Sequence, residues 1–314
     1  MTVAYSLGII ILILNAAVPT IAEGQNIISP EEGCQIIPEH KLEIPVDKNR
    51  NTELNEASFN EIIDQVIALY EPLVAIHGNH LSVEKNWKSS TVNAYARQVG
   101  DKWQISMFGG LARHEAITPD AFALVVCHEL GHHLGGYPMK RWSWSSTEGQ
   151  ADYFAGQACA KKIWGEQASK NAAFRETIAP YPQKLCDQTW DSEADQNLCY
   201  RISQAGKSLG NFFSNLRNSN PPSWNTPDMK KVMHTESNHP TPQCRLDTYL
   251  AGMLCTELFM EDKIPGKNHP QGQNSREAEE LAAQMSCTAF DGFSVGMRPR
   301  CWFAPKLAPK NGYY

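Results

Sequence analysis

The sequence has no apolar run long enough to cross a bilayer: the longest, residues 7–14, has eight residues against the roughly 20 that a spanning helix requires. It has no excess of basic charge either. Lys and Arg number 28 against 34 Asp plus Glu, and the basic residues are scattered pairs such as Lys161-Lys162 and Lys230-Lys231, which argues against a nucleic-acid partner. Internal repeats and low-complexity blocks are absent, and 42% hydrophobic with 20% charged residues excludes a disordered or fibrous chain. The cysteines lack the tight paired spacing of a zinc ribbon.

What is present begins with an address label. Residues 1–22 carry no charged side chain, and their apolar run ends at Thr20-Ile21-Ala22, with small residues at the first and third positions. This reads as a secretory signal cut after Ala22, which leaves residues 23–314 as one domain with no integral membrane segment. The protein is then exported, to a periplasm or the exterior. Nine cysteines spread along the chain fit that compartment and are expected to pair as disulfides, holding an irregular tail from about Cys287. The odd count leaves one thiol free. Cys127 is the candidate, because it lies in an apolar helical run where a bridge would have to cross the core. Cys244 and Cys255 fall on one side of a helix about 16 Å apart, too far to bond to each other.

Hydrophobic spacing predicts an α+β fold: a short antiparallel sheet followed by a mostly helical region. Residues 53–77 carry Ile62, Ile63, Val66, Ile67, Tyr70, Leu73 and Val74 as one helical stripe. Residues 91–98 and 103–108, separated by Gly100-Asp101, read as a hairpin. Thr118-Pro119-Asp120 starts a helix that should stop at Gly135-Gly136, and a second should run from Ser145 to Trp164. Further helices are expected over 193–216, 245–260 and 275–285.

The first of the two central helices bears His128-Glu129-Leu130-Gly131-His132, whose histidines, four apart, project from one face and can chelate zinc. Sixteen residues on, Glu148 and Asp152 repeat the spacing on the next helix. A catalytic zinc takes three protein ligands and keeps one position open, so His128, His132 and Glu148 are the expected ligands of a single Zn2+. Asp152 would accept a ring N–H from a ligand histidine and fix its tautomer. The plainer alternative makes both acids first-turn complements of the helix dipole. Glu129, beside the first ligand, is the expected general base toward a zinc-activated water. His133 follows His132 by one residue and points away, which suits a helix surface or a partner of a ligand. Trp142 and Trp144 could wall a cleft or pack in the core.

Taken in order, these motifs resemble the gluzincin metallopeptidases, and among them the HtpX and CaaX-prenyl-endopeptidase family. Asn93-Ala94-Tyr95-Ala96 resembles the edge strand of that family, Gly109-Gly110-Leu111 the segment before its zinc helix, and His239-Pro240 with Arg245 its late element. The match spans roughly residues 93–249. The interval from His132 to Glu148 is shorter than in most members, and the spanning helices of the best-known members are missing. The resemblance implies a zincin-like fold and an endopeptidase. It also implies that His239 and Arg245 act as donors to the substrate carbonyl, with Tyr153 and Tyr249 behind them, and that Asn93, Ala94, Tyr95 and Ala96 bind an unfolded or extended peptide as an added strand. For His239 and Arg245 the alternative is a His-Pro turn entering a helix whose Arg pairs with an acid. Two other functions compete with the peptidase: a zinc-stabilised binding or chaperone-like protein with little hydrolysis, and an amidase acting on cell-wall peptides.

Overall fold

The computed structural model describes Met1, residues 33–49, Asn51 and residues 53–308; the expected signal segment lies outside them apart from Met1. The chain runs β1 (Cys34–Gln35), α1 (Glu56–Ile76), β2 (His80–Asn86), β3 (Ala94–Val99), β4 (Lys102–Phe108) and α2 (Gly109–Ala112). It continues through α3 (Pro119–Leu134) and α4 (Glu148–Phe154), a turn of π-helix (Ala155–Cys159) and α5 (Ala160–Trp164). Then come α6 (Ala168–Ala172), α7 (Pro180–Thr189), α8 (Glu193–Leu216), α9 (Pro242–Leu254) and α10 (Arg276–Ala283). This is the α+β arrangement, a small sheet with a larger helical region.

The axis of the fold is α3. Thr118 caps it by accepting from the Ala121 amide, Pro119 fills the first position where an N–H would go unpaired, and every residue from Ala121 to Leu134 is buried. A helix with no exposed face must be surrounded, and α3 packs against β3 and β4 on one side and against α1, α4 and α8 on the others. The stripe on α1 supplies part of this core through Phe59, Ile63, Val66, Tyr70 and Val74.

The sheet is mixed, which corrects the expected antiparallel one. Its order is β1-β3-β4-β2, with the β3–β4 hairpin antiparallel and β2 parallel to β4. β2 was missed because its mostly polar sequence, His80 to Asn86, leaves no alternating apolar signal. β3 is also not an edge: β1 pairs with it antiparallel, Cys34 opposite Ala96 and Gln35 opposite Tyr95.

The second central helix starts at Glu148; Ser145 and Ser146 belong to the preceding loop, where Ser146 bridges to Met139. At its π turn it meets α9 at very short range. A Cβ on Gly156 would fall 2.6 Å from the Tyr249 carbonyl oxygen, and one on Gly252 would fall 2.6 Å from that of Tyr153. Two glycines facing each other's backbone thus let α9 bring Arg245 and Tyr249 up to α4.

Four disulfides join Cys127 to Cys159, Cys186 to Cys199, Cys244 to Cys301 and Cys255 to Cys287. Cys127 is therefore bonded, contrary to expectation. Its bridge spans adjacent helices whose Cα atoms lie 5.6 Å apart, so nothing has to cross the core. The free thiol is Cys34, buried in β1. Cys244 and Cys255 find separate partners as expected, and their bridges hold the tail, whose Trp302 is buried and donates to the Thr248 hydroxyl at 3.0 Å. Four bridges fit an oxidising, exported environment, and no helix among the described residues is long and apolar enough to cross a membrane.

Candidate metal centre

His128 and His132, one turn apart on α3, meet Glu148 at the first position of α4. Their Nε2 atoms lie 3.3 and 3.7 Å from Glu148 Oε2, and one ligand atom from each of the three residues falls within 4.8 Å of the others. All three side chains are fully buried.

The protons are placed elsewhere on the rings. His128 Nδ1 donates to Asp152 Oδ1 at 2.8 Å, and His132 Nδ1 donates to the Ser146 carbonyl at 3.0 Å. A carbonyl oxygen can only accept, so His132 carries its proton on Nδ1 and turns a lone pair inward from Nε2. His128 does the same against an ionised carboxylate. Two imidazole lone pairs and one carboxylate oxygen then face each other with no hydrogen-bond partner on any of the three atoms. Buried acceptors in that state repel one another, and a cation between them relieves it. These three residues form a group that could hold a metal ion.

No protein-family profile, curated protein or solved structure matches the chain.

The charges around the group are ordered. Burial acts to raise the Glu148 carboxyl, but Lys140, His132 and His239 hold it well below the usual carboxylate range. Lys140 makes the closest of these contacts, with Nζ 2.6 Å from Oε1, so one oxygen is tied down and the other, Oε2, is left without a hydrogen-bond partner. Asp152 is likewise kept at about 2: burial opposes ionisation, and Arg245 and His128 overcome it. Burial lowers His132 to about 4, against the pull of Glu148. Glu129 differs. Its carboxyl is fully buried, neither oxygen has a hydrogen-bond partner, and burial pushes its pKa well above the ordinary value.

Asp152 is the hub behind the ligands. Besides His128 it accepts both Arg245 Nε and Arg245 Nη2 at 2.7 Å and the Tyr249 hydroxyl at 2.5 Å. Of the two roles open for Arg245, the pairing with an acid is found: Nε and Nη2 are spent on Asp152, while Nη1 donates to the Ile36 carbonyl at 2.6 Å. Tyr249 is committed to the same carboxylate, and the Tyr153 hydroxyl donates to the Gly296 carbonyl, away from the ligands. His239 does reach the centre, its Nε2 standing 3.3 Å from Glu148 Oε2, but it donates its proton to the Gln35 carbonyl at 2.7 Å.

Asn93, just before β3, is buried, as are Ala94 and Ala96 within it, and Tyr95 is half-buried; β3 is paired on both sides. The open edge expected there is covered by β1. His133 is buried rather than on a helix surface, stacked between Trp103 and Trp144 at ring distances of 5.3 and 4.8 Å, and burial lowers it to about 3. Trp142 is 72% exposed and belongs to neither core nor ligand wall.

Lys140 is the residue that sequence reasoning missed. It lies in the loop between the two motif helices, where no periodicity marks it. Its one signal is the basic pair Lys140-Arg141 ahead of a buried acid.

Proposed function

We propose that the protein is an exported zinc endopeptidase of the gluzincin type. The reading rests on one observation: two imidazole lone pairs and a carboxylate oxygen converge, buried and unpartnered, beside a second buried carboxyl group that also lacks a partner. The likeness of the ordered motifs to that family supports it, and the two-nitrogen, one-oxygen donor set suits zinc.

His128, His132 and Glu148 would hold the ion, which when bound supplies Lewis acidity and acidifies a water. The chain's own groups do the remainder. Glu129 follows His128 on α3 and has both oxygens free, so it takes the proton from the attacking water and returns it to the leaving amine. Asp152 holds His128 in the liganding tautomer, Arg245 and Tyr249 hold Asp152, and Lys140 fixes the unused oxygen of Glu148. His239, whose Nε2–H already donates to a backbone carbonyl, is placed to do the same for a substrate.

A second reading, a zinc-stabilised binding protein, is favoured by the complete burial of Glu129 and the ligands, since a structural metal needs no open side. Metal content and hydrolysis of unfolded casein separate the two. With one zinc per chain in each, wild type should outpace Glu129→Gln by roughly a hundredfold or more. Equal inertness of both chains, each holding zinc and each tested whole and with its N-terminal segment released, would favour the binding protein.

A further inference from the structure

Residues 33–37 lie where a peptide would. β1 pairs antiparallel with β3, and the Ile36 amide extends the ladder to the Ala94 carbonyl at 3.2 Å. The carbonyls along this segment are held by side chains of the centre itself. His239 donates to Gln35 O at 2.7 Å, Arg245 Nη1 to Ile36 O at 2.6 Å, and Asn93 Nδ2 to Ile37 O at 3.2 Å. Lys140, which grips Glu148, comes within 3.4 Å of Cys34 Sγ. Main-chain pairing to a strand, with the segment's carbonyls also gripped by side chains, is how a sheet edge receives an extended peptide.

We propose that residues 33–37 are an intramolecular inhibitory strand: the chain's own segment fills the peptide groove along β3, and turnover requires that it be withdrawn or cut. The proposal rests on reading the centre as a peptidase. Three further observations support it. The ligands and Glu129 are completely buried, so a substrate reaches them only if something moves. β1 is two residues long and its cysteine is the unbridged one, so no disulfide among the described residues ties the strand down. Residues 38–43, which follow it, are exposed and open to a second protease. β1 also walls an open groove of about 720 Å3, shared with Tyr95, Arg97, Ser106 and Lys140, along which a longer peptide could continue.

The test inserts a site-specific cleavage sequence between Glu39 and His40 in the full chain, loads it with zinc and cuts it. Two readouts follow. Hydrolysis of a quenched casein peptide by the wild-type sequence should rise by roughly tenfold or more on cutting, the gain expected when a competent fraction near one in ten becomes whole. A fluorescein-labelled casein peptide should bind the cut Glu129→Gln protein, not the uncut one, and a synthetic peptide of residues 33–40 should displace it.

A second variant avoids the cut. A Cβ on Gly33 would stand 2.9 Å from the Ala96 carbonyl oxygen, so Gly33→Val loosens the strand and should raise both readouts in the uncut chain. Equal probe binding before and after the cut, or binding in neither, overturns the inhibitory strand. Equal hydrolysis by cut and uncut chains overturns it too and leaves the peptidase standing. Probe binding that appears on cutting without hydrolysis keeps the strand and removes the peptidase.

Discussion

Replacing Asp152 by asparagine keeps the shape of the hub and removes its charge, and the consequences separate by partner. Arg245, fully buried and bonded twice to Asp152 at 2.7 Å, loses its counter-ion. Stranding one member of a buried pair costs about 3–5 kcal/mol, so the metal-free protein should unfold at correspondingly lower denaturant. His128 keeps only a neutral amide oxygen in place of the carboxylate it donates to at 2.8 Å, and the centre loses a negative charge; both weaken cation binding, by roughly ten- to a hundredfold. Arg245→Met is the control with the opposite second sign. It strands Asp152 and costs similar stability, yet leaves the acceptor for His128 and removes a positive charge, so zinc affinity should hold or rise. Chelator-competition titrations of the two variants, beside urea unfolding without metal, give all four numbers. Acid adds a further check. Asp152 titrates near 2 in the folded chain against an ordinary 3.8, so the unfolded state binds the proton first. Its contribution of about 2 kcal/mol is present above pH 4 and is lost as pH falls through 2, narrowing the gap between wild type and Asp152→Asn. A loss of zinc affinity that is equal in the two variants would refute the hub.

Chelation of the metal should lower the melting temperature of the wild type and leave His128→Ala/His132→Ala unmoved; a thousandfold excess of zinc over its Kd corresponds to about 4 kcal/mol, read by scanning calorimetry. Replacing both Cys244 and Cys301 by serine opens a loop of 57 residues and should cost about 4 kcal/mol in urea unfolding. Lys161 donates to the Cys255 carbonyl at 2.6 Å, and burial lowers it to about 7 from 10.5. Between those values the unfolded chain holds the proton and the folded chain does not, so stability should rise with pH across the window, and Lys161→Met should flatten that slope. Gly252→Ala drives a methyl group to 2.6 Å from the Tyr153 carbonyl oxygen and should cost about 1–3 kcal/mol in urea unfolding.

The readable parts of this molecule are those set by neighbours in sequence. α1, α3 and α8 follow from apolar spacing and capping residues, and the β3–β4 hairpin from its Gly100-Asp101 turn. The three ligands were legible because their geometry is mostly helical: residues four apart share a face, and a short connection folds the next helix back. What failed involved distant partners. Cys127 looks free in sequence because its helix gives no hint that the π turn brings Cys159 alongside. For Arg245 the sequence leaves two roles open, donor to substrate or partner of an acid, because nothing in it shows that Gly156 and Gly252 let α9 settle the guanidinium on Asp152. β3 was read as an edge because a two-residue strand, Cys34–Gln35, is too short to leave a period.

The same division separates the two layers of function. On the proposed reading, chelation and the placement of a base need only α3 and the first turn of α4, so a short motif can encode them. On the same reading, access to that centre is decided by groups drawn from across the chain: Gln35 and Ile36 in β1, Lys140 in the loop before α4, His239 ahead of α9 and Arg245 on it. The backbone carbonyls of β1 are interchangeable with those of any extended peptide, so this layer imposes almost no side-chain pattern at residues 34–36. A strand that stands in for a substrate is for that reason poorly visible in sequence, and at this centre it is found through the donors that grip its carbonyls.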